Sequence, residues 1–231
     1  MKLWRPGRLR AREFATASMM ATIGLAIGSC GGAAPNSESA VVSLPSLPAG
    51  YALRLDRPNR DPAEFLTTSD GGDLRVETGP AGIIYRPDQL ADTAPYTASA
   101  RFTEIGAPVG HREGFGLFIG GQDLENDNQR YTYFLVRGDG RYLIKRRDGE
   151  LTAEITDGWE PSAAVHVPAP DNHDVVNELT VAVNGELLRF LCNDELVAEM
   201  PVGDLDTQGV VGVRVNHNLE VRVQDLRVTG S

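Results

Sequence analysis

From Tyr96 onward the chain alternates apolar and polar residues with a period of two, and a turn signal interrupts it every eight to twelve residues or so. A strand with one buried face produces that period, whereas a helix would repeat at 3.6. In "NELTVAVNGELLRFLCNDELVAEM", Leu179, Val181 and Val183 fall on one side and Thr180 and Ala182 on the other. Asn184-Gly185 predicts a two-residue hairpin, and Asn193-Asp194 a second turn. "GVVGVRVNHNLEVRVQDLRV" places Val211, Val213 and Val215 against Gly212, Arg214 and Asn216. It turns at His217-Asn218 and sets Leu219, Val221 and Val223 against Glu220, Arg222 and Gln224. "YTYFLVRGDGRYLIKRRDGE" reads as a hairpin closed by Gly138-Asp139-Gly140. The rhythm predicts an all-β chain, an antiparallel sandwich or barrel.

The stretch "GHREGFGLFIGGQDL", Gly110 to Leu124, holds five glycines in fifteen residues. A dinucleotide loop would need G-x-G-x-x-G; Gly114 and Gly116 fit, but the third position is Ile119 and no helical pattern follows. The glycines alternate with Phe115, Leu117 and Ile119, which predicts a strand with one bare face.

The first residues read as an export signal. Lys2, Arg5, Arg8, Arg10 and Arg12 precede the short apolar run "FATASMMATIGLAIGS", which ends in "IGSC". An aliphatic residue, two small residues and Cys30 resemble the bacterial lipobox, which implies lipidation of Cys30 and attachment to a membrane through several acyl chains. Gly31 stands where an inner-membrane retention aspartate would resemble the alternative address, which implies the outer membrane. The division expected is a signal over 1–29, the lipidated cysteine and a small, polar, proline-punctuated tether over 30–50, and one folded domain over 51–231. The signal holds five of the 22 basic residues and one of the 32 acidic ones, so the chain from Cys30 on stands at −14 against −10 for the whole. That charge argues against nucleic acid as a partner. Cys192 then has no partner for a disulfide and, between Leu188, Phe190 and the turn, reads as a buried small hydrophobe.

The succession "FGLFIGG", "YTYFLVRGDGRYLIKRR", "NELTVAVNGELLRFLCNDELVAEM" and "GVVGVRV…LEVRVQDLRV" resembles the concanavalin A-like jelly-roll superfamily, in particular its laminin-G-like and keto-disaccharide-hydrolase-like members, over about residues 52 to 229. The resemblance implies a two-sheet antiparallel jelly roll. It leaves function open, since such folds serve lectins, glycan-binding modules, glycosidases and adhesion domains.

Chemical motifs are sparse. The E-x-D-x-x-E strand of related glycosidases finds Glu125 and Asp127 in "ENDNQR", but Arg130 in place of the third carboxylate, so no catalytic residue is assigned. Asp123, Glu125 and Asp127 offer alternate oxygens suited to calcium, without the EF-hand glycine; no other cofactor is implied. His111, His166, His173 and His217 lack zinc-ligand spacing. A binding face remains. Gly116, Arg214 and Asn216, with Gly114, Gly120, Thr132, Thr180 and Ala182, predict a small, polar surface for a glycan, with His111, Arg112 and Glu113 at its mouth. Trp159 could stack on a sugar or plug the sandwich edge, and the run with Arg141, Lys145, Arg146 and Arg147 could take an acidic glycan or balance an outer face. The functions expected are a lipid-anchored glycan-binding or surface-interaction module, a glycoside- or keto-disaccharide-hydrolase-like enzyme, or a structural envelope protein with protein partners.

Overall fold

A computed structural model describes residues 47–57 and 59–230. The signal, Cys30 and most of the tether lie outside the described residues. Fifteen strands follow in chain order: β1 (Ala52–Leu55), β2 (Phe65–Asp70), β3 (Asp73–Thr78), β4 (Gly82–Ala91), β5 (Tyr96–Glu104), β6 (Gly114–Gln122), β7 (Arg130–Arg137) and β8 (Arg141–Asp148). Then come β9 (Leu151–Glu154), β10 (Glu160–Pro161), β11 (Val175–Asn184), β12 (Leu187–Cys192), β13 (Glu195–Pro201), β14 (Gly209–Val215) and β15 (Glu220–Thr229). Helical structure among the described residues is a single 3₁₀ turn, Pro62–Glu64, capped by the Asp61 carboxylate on the Ala63 amide.

The strands form two antiparallel sheets. A curled eight-stranded sheet runs β1-β4-β14-β6-β7-β8-β10, with β9 also on β8. A seven-stranded sheet runs β13-β12-β11-β5-β15-β3-β2. Neighbours distant in sequence, such as β14 between β4 and β6 and β5 between β11 and β15, make this a jelly roll as the sequence predicts. Phe115, Leu117, Ile119, Val211, Val213 and Val215 of one sheet meet Leu179, Val181, Leu188, Phe190, Val221 and Val223 of the other. Each of the alternating apolar rows read from the sequence therefore points into one core. Cys192 is buried in the same core, with its thiol against the Ala164 carbonyl.

The turn chemistry follows the residues. Asn193 and Asp194 both have positive φ, 51° and 65°, between the paired Cys192 and Glu195, so this loop is a type I′ turn. The Asn-Gly hairpin forms one residue later than expected. Asn184 pairs with Leu187, so the loop is Gly185-Glu186, with Gly185 taking the positive φ of 59°. Between the paired Arg137 and Arg141 lies a three-residue loop ended by Gly140 at φ 78°. β1, β2, β9 and β10 escape the sequence reading, and with β2 the hairpin that joins it to β3 at Gly71-Gly72, although "DLRVETG" itself reads as a strand.

Candidate functional site

The site is built on the outer face of the curled sheet, the face turned away from the other sheet. Period two assigns Gly114 and Phe118 of β6, Tyr131, Tyr133, Leu135 and Arg137 of β7, and Arg141, Lys145 and Arg147 of β8 to that face. Gly212 and Arg214 of β14, Ile83 and Tyr85 of β4, and Ala52 and Arg54 of β1 join them through the register.

This face is not the bare surface expected. Ile83, Tyr85, Phe118, Leu124, Tyr131, Tyr133 and Leu135 form a second buried cluster on it. Their rings interlock, Phe118 with Tyr131 at 5.1 Å and Tyr131 with Tyr133 at 5.6 Å between centroids. Burial pushes the Tyr133 phenol up to about 12, against the opposing pull of Arg214. The correction comes from β7. "YTYFLV" is apolar on both sides, and its Thr132 faces the inter-sheet core with Phe134 and Val136, fully buried. Thr180 and Ala182 lie on the other sheet altogether.

Arg214 is a second correction. Expected at an open groove, it is 7% exposed. It grips Asp56 through two hydrogen bonds, Nη1 to Oδ1 at 2.8 Å and Nη2 to Oδ2 at 2.5 Å. It also donates to the Tyr131 hydroxyl at 3.2 Å and lies 4.9 Å from the Tyr133 ring centre. Burial raises the Asp56 carboxyl, but the hydrogen bonds and charge of Arg214, helped by Arg147 and His217, outweigh it and hold the group below its ordinary range. Gly116 is a contact between backbones rather than a ligand position. A Cβ there would overlap the Phe134 carbonyl oxygen and lie 2.9 Å from Leu179 Cδ1.

What stays accessible gathers at one end of the face. The Asn216 backbone N–H donates to the Gly114 carbonyl, and Gly114 pairs with Arg137, so these three positions lie side by side. Trp159, just before β10, stands over this row, half-buried. Its ring enters the notch that Gly114 leaves, where a Cβ would come 2.5 Å from Cη2. The Arg137 guanidinium lies 4.4 Å from the ring centre, and Arg141 donates to the Trp159 carbonyl at 2.8 Å. Asn216 Oδ1 is buried without a hydrogen-bond partner among the described residues, so the groups open at this end are the indole and the arginines. Trp159, Asn216 and the three arginines 137, 141 and 214 therefore belong to one face, while Arg146 turns away to Asp206 at 3.0 Å.

The remaining expected residues disperse. His111 sits at an end of the sandwich, its Nδ1 2.7 Å from the buried Glu104 carboxylate. They line a cavity of about 430 Å³ with Thr78, Ala107, Asn218 and Glu220. Glu113 pairs with His217 at 3.7 Å, and Arg112 is exposed. The acidic loop does not converge. Asp123 accepts from Asn128, Asp127 pairs with Arg54 at 3.3 Å, and Glu125 is exposed. Among the described residues no group of three or more His, Cys, Asp or Glu side chains is placed to hold a metal ion. Arg54 and Asp56 were missed in the sequence, although "ALRLDR" alternates Leu53 and Leu55 with them and carries the strand signal.

The architecture defines the class: an all-β jelly roll of two antiparallel sheets. No protein-family model matches the sequence, and no curated protein does. Solved structures share the fold. A carbohydrate-binding module, CBM66 from Bacillus subtilis, superposes with a TM-score of 0.56 at 11% identity, over 78% of this chain and 96% of that one. A Bacillus subtilis protein of unknown function with a galectin-like fold gives 0.56 at 13%, over 77% and 88%. The carbohydrate recognition domain of Emp46p, in its metal-free form, gives 0.51 at 11%, over 78% and 87%. At such identities the likeness is one of fold.

Proposed function

We propose that this chain is a carbohydrate-binding module held at the cell envelope by lipid on Cys30, and that its sugar lies against the Trp159 end of the curled face. The observation that carries this reading is Trp159 itself: a half-buried indole braced by Arg137 and seated in the notch of Gly114, with Arg141 bound to its carbonyl. An aromatic ring beside directional polar groups suits a sugar, whose apolar face stacks while its hydroxyls need donors and acceptors. The fold shared with a carbohydrate-binding module and a carbohydrate recognition domain supports the same reading. The outer membrane is the proposed location, from the lipobox-like "IGSC" and Gly31.

The test is a glycan array followed by calorimetry with the purified full-length protein. Trp159→Ala should weaken a captured glycan about tenfold or more, with thermal unfolding little changed. Silence across neutral and acidic glycans, or equal affinity in the variant, overturns the proposal.

A further inference from the structure

Three arginines on the curled face surround one half-buried carboxylate. Arg54 and Arg214 both pair in register with Ile83, on opposite sides of it, so their side chains flank that residue on one face. Arg147 stands opposite Tyr131 in the β7–β8 register, and the Tyr131 hydroxyl accepts from Arg214. Asp56 lies among them, bound to Arg214 and within the field of Arg147. The carboxylate paired with Arg54, Asp127, is on a loop and 98% exposed, where an ion pair contributes little.

The positive charge here is undercompensated. Arg147 is 9% exposed and has no carboxylate partner among the described residues. Its Nε donates to the Gly149 carbonyl at 2.5 Å, and its two terminal nitrogens meet no acceptor among the described residues. The Nε atoms of Arg54 and Arg214 are buried without partners. A guanidinium offers five N–H groups in a rigid fork that matches a carboxylate or sulfate, and the two terminal nitrogens of Arg147 are not among the buried unpartnered atoms, so they face solvent, where an anion can reach them. The chain as a whole is strongly acidic, so this concentration of cations is not a general property of its surface.

We infer that Arg147, with Arg54 and Arg214, forms an anion subsite on this face, and that the sugar bound there is an acidic one carrying a carboxylate or a sulfate. The inference rests on the carbohydrate reading above and names its ligand class. Asp56 is the internal anion of the set; the bound carboxylate or sulfate supplies the second.

Oligogalacturonate and its methyl ester separate charge from shape, because the backbone is the same and only the charge differs. The full-length protein should bind the acid about ten- to a hundredfold more tightly than the ester, and the preference should shrink as salt rises. Arg147→Gln should remove the preference, and Arg147→Lys, which keeps the charge but not the fork, should retain part of it. Equal or tighter binding of the ester overturns the anion subsite and leaves the carbohydrate reading standing.

Sulfate alone gives a readout independent of any sugar, and a second one should Arg147→Gln prove poorly folded. It should raise the melting temperature saturably above a chloride control of equal ionic strength, and Arg147→Lys should reduce that rise. A sulfate response without binding of any glycan keeps the anion subsite and overturns the carbohydrate reading. Absence of both responses overturns the two together.

Discussion

Arg214 and Asp56 stand 158 residues apart in the sequence and meet fork to fork on the curled face, at 2.8 and 2.5 Å. The pair ties the edge strand β1 to β14 in the middle of the sheet, across β4. Removing one partner of such a pair strands the other charge in a poorly solvated place. Asp56→Ala should therefore destabilise the fold by about 3 kcal/mol, measured by urea unfolding at neutral pH.

The same pair sets an acid limit. The folded Asp56 carboxyl titrates below its ordinary value of 3.8, so the unfolded chain binds the proton first. Its contribution is complete above that ordinary value and is lost as pH falls through the folded one. Unfolding curves between pH 6 and 2.5 should show a steeper acid loss in the wild type than in Asp56→Asn.

Glu104 works in the opposite direction. Burial raises its carboxyl, and the hydrogen bond and charge of His111 only partly offset that. The folded state then holds the proton longer than the unfolded one. Stability from this group is full below about the ordinary value of 4.5 and declines as pH rises through the folded value. Glu104→Gln should flatten the stability profile over that window, and an unchanged profile would contradict the assignment.

Gly114 and Gly116, two residues apart on one strand, should respond differently to alanine. At Gly114 the added methyl meets the Trp159 ring, a side chain that can swing. Gly114→Ala should shift Trp159 fluorescence and weaken glycan binding at a small cost in stability. At Gly116 the methyl meets the backbone at Phe134, which cannot yield. Gly116→Ala should cost about 2 kcal/mol or more, read as a drop in melting temperature.

The thiol of Cys192 is buried, and burial pushes it up to about 12. A thiol reagent at pH 8 should label the native protein only at the rate of unfolding, and labelling should become immediate in urea. Rapid native labelling would refute the core position.

The jelly roll was legible because its evidence is local. Val211, Val213 and Val215 alternate with Gly212 and Arg214, and one buried face is all that such a pattern requires. The register slip at Asn184-Gly185 shows the limit: the residues specify a two-residue turn, while the pairing of Asn184 with Leu187 selects which two. The site was harder to read because the curl is not local. Arg54 and Asp56 look like a charged edge until the sheet brings them to Arg214 and Tyr131, and alternation cannot distinguish a strand with one buried face from β7 or β6, buried on both. The contiguous run "YTYFLV" was the available signal. "DGWEP" leaves Trp159 open to stacking or plugging; its ring fills the Gly114 notch and remains half-buried.

β1 is four residues long, lies at the border of its sheet and pairs only with β4, yet it carries Arg54 and leads directly into Asp56. Short border strands open before the rest of a fold does. Occupancy of the arginine cluster and closure of β1 are therefore linked: a ligand that engages Arg54 should slow hydrogen exchange of the Ala52–Leu55 amides. Linkage is reciprocal. Mechanical tension drawn through residues 47–51 would peel β1 away and lower affinity, making this edge a force gauge for whatever the molecule holds.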